Sequence, residues 1–351
     1  MTALRRTRLP TRLSWVIAGV FAGYALARVT GADRLRTIGI PAASLFPFTP
    51  QAAASAWLCA LLLGDERASA VTAAAAAGLT AVLVPRAAAR SQPAASGPEL
   101  RVLTANLLAG RAATNEVVEL VQSTDADVLF VQELSDHAAP WLSASGLDRL
   151  LPYAITDLGT RQHRGNGIYA RYPIGARPHV MPTSSIQPVV TMKLAGSRVR
   201  LACVHLYTPK RPWSNSGVAR WRADLAALSL LPFPTTEDDL PLIAAGDFNS
   251  TVDHVDFRRL LLRHGLNDAA CQTGNGLTPT WGVIPGGRFA LLTIDHVLVD
   301  DRCAVLGTSV HALSGTDHRA VFARIRLPGM KESRGAQIHV AGEPNPGSRA
   351  T

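Results

Sequence analysis

Asp247 and Asn249 stand two residues apart in Leu240-Pro-Leu-Ile-Ala-Ala-Gly-Asp-Phe-Asn-Ser250, a carboxylate and an amide at the end of an apolar run. Leu242–Ala245 reads as a strand that stops at Gly246. In extended backbone, residues i and i+2 face the same way, so Asp247 and Asn249 share a face while Phe248 turns into packing. Such a pair can orient a water and donate to a developing negative charge. Gly-Asp-x-Asn is also ordinary turn chemistry, so this stretch alone leaves both readings open.

Groups of the same kind recur at other strand ends. Leu100–Asn106 is a β-type run ending in an amide, Val128–Glu133 ends in a carboxylate, and Val199–His205 ends in an imidazole. A Glu closing so apolar a run is costly to bury without a partner, and Mg2+ is satisfied by one or two carboxylates plus water and phosphate oxygens. A solvent-facing rim position is the competing reading of Glu133. Asp295 lies inside the β-type run Leu291–Val299, where an unpaired charge should not survive. His296 points to the opposite face and reads as structural. In Ser314-Gly-Thr-Asp-His-Arg319 the adjacent Asp317 and His318 sit in a loop, where one can face a metal and the other a scissile group.

The elements that must carry these groups follow from the pattern. Asn115–Ser123 has helical spacing between two β-type runs, which makes a βαβ unit that brings Asn106 and Glu133 to one edge if its strands are parallel. Further strands are expected over 165–174, 189–194 and 320–327, with a strand entry at Thr278–Trp281. Further helices are expected over 218–230 and 256–264. This pattern is α/β, and by itself it suits either two packed sheets or one doubly wound sheet.

Ahead of these elements, Arg5, Arg6, Arg8 and Arg12 precede an apolar run from Leu13 to Val29, close to the roughly 17 residues a spanning helix needs. Ala25-Leu26-Ala27 resembles a signal-peptide cleavage site. Two further apolar stretches, Gln51–Gly64 and Ala68–Pro85, favour instead a membrane anchor of about three helices over residues 1–85. Residues 86–98, rich in Ala, Ser and Pro, read as a flexible linker, 99–327 as a catalytic domain and 328–351 as a disordered tail. The chain carries a net charge of +9 and a pI near 10.0, so an anionic partner is expected, although part of that charge flanks the apolar segments. The four cysteines form no C-x-x-C pair, which argues against a zinc site.

Taken together, Asn106, Glu133, His205, Asp247-x-Asn249, Asp295 and Asp317-His318 resemble the endonuclease/exonuclease/phosphatase superfamily, which includes pancreatic-type deoxyribonucleases, abasic-site endonucleases, bacterial sphingomyelinases and inositol polyphosphate phosphatases. The resemblance spans residues 99–327. With the anchor, the chain looks like a membrane-attached bacterial branch of that group. The resemblance implies a four-layer sandwich of two mixed β-sheets flanked by helices. It implies a metal-dependent phosphoester hydrolase, with Asn106, Glu133 and Asp317 holding Mg2+ or Mn2+. His318 would act on the phosphoryl group, oriented by Asp295; Asp247 would align or deprotonate the attacking water; Asn249 and His205 would stabilise charge. Two positions depart from strictly deoxyribonuclease-like members: Leu108 stands where some carry an acid, and Gly165–Tyr169 offers Asn166 but no Glu to pair with His205.

For substrate, Arg161, Arg164, Lys210 and Arg211 lie in loops leaving strands and favour nucleic acid. Trp213 and Trp281 are the candidate stacking residues. The anchor favours a phospholipid or inositol phosphate instead. A catalytically inactive membrane-anchored binding module is the rival of another class, and no feature points to an obligate protein partner. The arginine flank predicts the amino terminus inside and the catalytic domain outside the cell membrane. A Cys271–Cys303 disulfide is then expected, with two separate buried thiols as the alternative.

Overall fold

Residues 9–35, 39–158, 165–176, 183–208, 215–228, 240–282 and 289–329 are described by the computed structural model, and within them the β-type runs pair into two six-stranded sheets. The first sheet contains, edge to edge, β13 (Ala304–Ala312), β14 (Arg319–Arg326), β1 (Glu99–Asn106), β2 (Val128–Leu134), β4 (Gly165–Ala170) and β3 (Tyr153–Asp157). The second contains β5 (Ile174–Ala176), β6 (Val189–Leu194), β7 (Ser197–His205), β8 (Leu242–Asp247), β12 (Asp295–Asp300) and β9 (Leu266–Asp268). A hairpin of β10 (Trp281–Gly282) and β11 (Ala290–Leu292) stands beside them.

Each sheet has one parallel pair at its centre, β1 with β2 and β7 with β8, and its other pairs are antiparallel. The β1–β2 crossover runs through α5 (Thr114–Ser123), as the spacing predicted, and the β7–β8 crossover contains α8 (Asn215–Leu228). One rim therefore collects the carboxyl ends of β1, β2, β7 and β8 together with the amino ends of β4, β12 and β14. In register, Asn106 lies beside Gln132, His205 beside Asp247, and Asp247 beside Asp295.

The space between the sheets is filled by Leu100, Val102, Val128, Phe130, Val199, Leu201, Ile243, Val297 and Val299. The outer face of the first sheet is covered by α5, α6 (Ala138–Ala144) and α7 (Leu147–Leu150), through Val117, Val121, Leu142 and Leu147. The second sheet is covered by α8 and α9 (Val255–Arg263), through Trp221, Leu225, Phe257 and Leu260. Central strands are thus buried on both faces, which is why they read as continuous apolar runs rather than alternations. Truncating one of these side chains, Ile243→Ala for example, costs about 2–5 kcal/mol.

Three local expectations are corrected. Gly246 does not end the strand, which runs on to Asp247. It is glycine because φ is +147° and a Cβ there would lie 1.9 Å from the Val204 carbonyl of neighbouring β7. The run 291–299 is not one strand: it breaks at Thr293–Ile294, where the Ile294 and Asp295 amides both donate to Thr280 Oγ1 (3.1 and 3.0 Å), so Asp295 opens β12 at the rim. Cys271 and Cys303 are free thiols, not a disulfide. Cys303 packs into the core between the sheets, whereas Cys271 lies in α10 (Ala269–Gln272) and its amide is taken by the Asp268 cap.

Ahead of the sandwich, α1 (Thr11–Thr30), α3 (Thr49–Leu62) and α4 (Glu66–Ala87) form a helical bundle, and the short α2 (Gly39–Leu45) joins α1 to α3 beside it. Ala25, Ala53 and Ala75, small residues that let the helices approach closely, pack at its centre with Leu79 and Leu83. Asp65 caps α4 by accepting from the Ala68 amide at 2.9 Å. Val16, Val20, Leu26, Leu58 and Leu61 point outward and are exposed. Helix α1, the segment Ala42–Leu62 and α4 are each long and apolar enough to cross a membrane. The segment expected as a flexible linker lies along the domain: Ala89 bridges Thr273, the Arg90 amide donates to Gln272, Gln92 accepts from the Val305 amide, and the Gly97 amide donates to Leu327. The tail beyond Gly329 lies outside the described residues.

Candidate active site

Asp247 is the centre of the rim cluster. Its Oδ2 accepts from Asn106 Nδ2 at 3.0 Å and from Asn249 Nδ2 at 3.2 Å, and its Oδ1 accepts from the Asn249 amide at 2.8 Å. Two imidazoles face Oδ2: His318 Nε2 at 3.8 Å and His205 Nε2 at 3.9 Å. On its other side His318 Nδ1 donates to both oxygens of Asp295 at 3.0 Å, so Asp295 fixes the ring and leaves Nε2 facing the site. His205 Nε2 also lies 3.8 Å from Glu133 Oε1.

Glu133 reaches this cluster through a distortion. It sits in a bulge between β2 and β4 with φ +54°, a conformation that costs a non-glycine residue of order 1 kcal/mol. Its Oε2 accepts from the Ala109 amide at 2.9 Å, and Oε1 is a long 3.5 Å from Asn106 Nδ2. Leu108, Ala109 and Asn249 also have positive φ, so four non-glycine left-handed residues gather at one rim. The Leu108 amide donates to Asn106 Oδ1 at 2.9 Å, which turns the Asn106 nitrogen, not its oxygen, toward the carboxylates.

The charges at this rim do not cancel. Burial pushes Asp247 up to about 7; His318 pulls against that, and Asp295 and Glu133 add to it. Burial opposes charge on His318 as well, but Asp295, Asp247 and Asp317 outweigh it and hold the imidazole up to about 10. Asp317 Oδ2 accepts from Trp281 Nε1 at 3.0 Å, while its buried Oδ1 accepts no hydrogen bond. Four carboxylates, one with an unsatisfied buried oxygen, fit a hard divalent cation. Asp247, Asp295 and His318 each offer an atom within 4.8 Å of the others, but Asp295 and His318 already satisfy one another. Glu133 and Asp317 are the carboxylates with lone pairs to spare.

Asn106, Glu133, His205, Asp247, Asn249, Asp295, Asp317 and His318 all come together. Three details differ from expectation. Asn106 is a donor to Asp247 rather than an oxygen turned to an ion. Both Asn249 amide protons are taken, by Leu206 O at 2.9 Å and by Asp247, so Asn249 braces the carboxylate. Trp281 is half-buried with its indole N–H committed to Asp317, which makes it a support for that acid. Arg161, Arg164, Lys210, Arg211 and Trp213 lie outside the described residues.

Three supporting residues were missed. Buried Thr316 donates from Oγ1 to Asn106 O (3.0 Å) and accepts from the His318 amide (3.1 Å); a hydroxyl two residues before a loop histidine was the available signal. Thr280 fixes the entry to Asp295. Buried Gln187 holds the His205 backbone from both sides, at 2.7 and 2.8 Å, and nothing local in the sequence marks it.

A family model described as Endonuclease/Exonuclease/phosphatase family matches residues 103–318, more than half of the chain. Among solved structures, an endonuclease/exonuclease/phosphatase from Beutenbergia cavernae DSM 12333 is 20% identical over 66% of this chain and 72% of its own, with a TM-score of 0.51. A protein of the same family description from Bacteroides thetaiotaomicron is 15% identical over 67% of this chain and 100% of its own, with a TM-score of 0.50. At these identities the likeness is one of fold. No curated protein matches the chain.

Proposed function

The chain belongs to the endonuclease/exonuclease/phosphatase family, and from that premise we propose that it is a metal-dependent phosphoester hydrolase working at a membrane surface. The observation that carries this reading is the pairing of an Asp295-oriented His318 with a triply braced Asp247 across 3.8 Å. Asp247 orients the attacking water and takes its proton as the new phosphorus–oxygen bond forms, while the ester phosphorus–oxygen bond breaks and the departing alkoxide takes a proton from solvent. His318, held protonated, faces the phosphoryl group and stabilises the charge that grows there. His205 Nε2 faces the same Asp247 oxygen at 3.9 Å, placed to stabilise charge on the phosphoryl group, and Asn106 and Asn249 keep the carboxylate from rotating. Glu133 and Asp317 would hold the divalent ion, Mg2+ or Mn2+, which supplies Lewis-acid stabilisation of phosphoryl oxygens. Full-length protein in detergent should turn over a panel of phosphoesters with Mg2+ or Mn2+ and stop with EDTA. No metal-dependent turnover on any of them would sink the reading.

The anchor helices support a substrate held at a bilayer. Arg28 and Arg86, near the carboxyl ends of α1 and α4, both bind Asp253 in the loop after β8, and Gln51 at the start of α3 donates to Leu291 O of the β10–β11 hairpin at 2.7 Å. All three contacts fall on the rim that carries the site. If α1, α3 and α4 span the membrane, that rim looks toward it and a lipid-linked phosphoester meets the site directly. The alternation of the three helices puts the amino-terminal arginines on the far side, which fits a domain outside the cell; external protease that leaves the domain intact on whole cells would reverse this. A nucleic-acid substrate is the second reading, supported by the +9 charge. Competition between phospholipid vesicles and plasmid DNA at low salt decides it, and preferential DNA cleavage would overturn the lipid assignment alone.

A further inference from the structure

The loop joining β8 to α9 begins directly after Asp247, the last residue of β8, and carries Asn249 near that end and Asp253 at the other. Asp253 is fully buried, with a side-chain exposure of 0%, and both its oxygens are taken by arginines from the anchor. Arg28 donates to Oδ1 from Nε at 3.1 Å and from Nη2 at 2.7 Å; Arg86 donates to Oδ2 from Nη1 at 2.7 Å and also grips Gly276 O. The two arginines are themselves only 7% and 5% exposed.

The rest of the loop is held from both sides. Asp33, just past α1, accepts from the Val255 amide at 3.0 Å, and His254 Nε2 donates to Ala43 O at 2.8 Å while its Nδ1 accepts from the Thr251 amide. Gly31 closes α1 with φ +70°, and a Cβ there would lie 2.8 Å from Val255 Cγ2, so helix end and loop are in direct contact. From the domain, His296 and Trp221 hold Ser250 by its carbonyl and hydroxyl. Between these supports Asn249 keeps its left-handed backbone, a conformation that persists only where the surroundings over-determine it.

Resting on the hydrolase reading, we propose that Arg28 and Arg86 are positioning residues for the reaction: through Asp253 they hold the loop that sets Asn249 and, through its two hydrogen bonds, braces Asp247, so the anchor completes the active site as well as tethering it. A simple tether predicts something different, since loosening it would change how much folded enzyme is present but not the rate of each folded molecule.

The test uses the full chain in nanodiscs with Mn2+ and bis(4-nitrophenyl) phosphate, and counts folded molecules by size-exclusion and thermal melting. For Arg28→Gln/Arg86→Gln we expect kcat per folded molecule to fall tenfold or more with KM within twofold, because the substrate's own contacts remain. Arg28→Lys, which keeps the charge but loses the two-pronged grip, should be folded and fall between the two. Amide hydrogen exchange over residues 248–254 should quicken at least tenfold in the double variant. Unchanged kcat per folded molecule, or unchanged exchange in that loop, overturns the proposal. An inert wild type would count against hydrolysis itself, and the exchange measurement would still decide whether the anchor orders the loop.

Discussion

Two buried charge clusters flank the loop after β8, and they are built on opposite rules. Around Asp253 each oxygen of that carboxylate has an arginine donor within 3.1 Å, so its charge is matched by Arg28 and Arg86. Around Asp247, six residues earlier, burial drives the acid up to about 7 against the pull of His318, with Asp295 and Glu133 adding to the rise, and an oxygen of Asp317 accepts nothing. The first cluster is what a chain does with charge it must bury for structure; the second is what it leaves unbalanced for chemistry. Burial alone does not separate them, since both aspartates are inaccessible. Completeness of pairing does.

Substitutions in the two clusters should therefore fail in opposite ways. Asp247→Asn should lose at least about a hundredfold in kcat while thermal stability holds or rises, because one uncompensated negative charge is gone. Retained activity in that variant would mean the chemistry lies elsewhere. Asp253→Ala should instead lose about 3–5 kcal/mol of stability, measured by melting in detergent, because two buried arginines lose their partner. A melt like that of the wild type would show that the junction is solvated and the contrast false. Divalent ion at a hundred times its Kd should stabilise the wild type by about 2.7 kcal/mol, and Glu133→Gln should abolish this. An undiminished shift in the variant would remove Glu133 from the ion's site.

The smallest effect is in the pH dependence of two histidines on either side of the loop. Burial holds His254 below its usual value, and it sits as a neutral ring between Ala43 O and the Thr251 amide. Below about pH 6.5 the unfolded chain takes up a proton that the folded one resists, so stability falls by up to about 1.4 kcal/mol per pH unit. His296 goes the other way: burial opposes its charge, but Asp268 wins and raises it. Its contribution is full below the unfolded value and fades as pH rises through the folded one. His254→Asn should flatten the acid limb of the stability curve and leave the alkaline limb alone. An unchanged acid limb would show that His254 is not buried neutral.

How much of this was legible depended on distance along the chain. Asn106, Glu133, His205 and the Asp247–Asn249 pair could be found because each closes a run whose pattern is local. The pattern of those runs allowed either two packed sheets or one doubly wound sheet; the family resemblance implied two, and two are present. Gly246 was misread because its constraint comes from the Val204 carbonyl on another strand. The disulfide was misread because neighbouring segments of sequence need not bring Cβ atoms together. Gln187 and the arginines of α1 and α4 were invisible for the same reason: their partners are fixed only once the sheets have stacked. Burial pushes the Cys203 and Cys303 thiols up to about 12, so they are packing groups and not the nucleophiles a cysteine count invites one to seek.

The separation of the junction's partners also sets an order of assembly. Arg28 and Arg86 leave the ribosome 225 and 167 residues before Asp253, when only helices exist. If α1 and α4 cross a membrane, their guanidinium groups rest in the polar layer of the bilayer until Asp253 arrives, as long basic side chains do near helix ends. Strand β1 must wait longer still, for β14, before its sheet is complete. Contacts this distant in sequence form late and slowly. During synthesis α1 to α4 thus precede the loop that neutralises Arg28 and Arg86, and the junction closes only as the sandwich does. A half-made polypeptide carries α1 to α4 but none of His205, Asp247, Asp295 and His318.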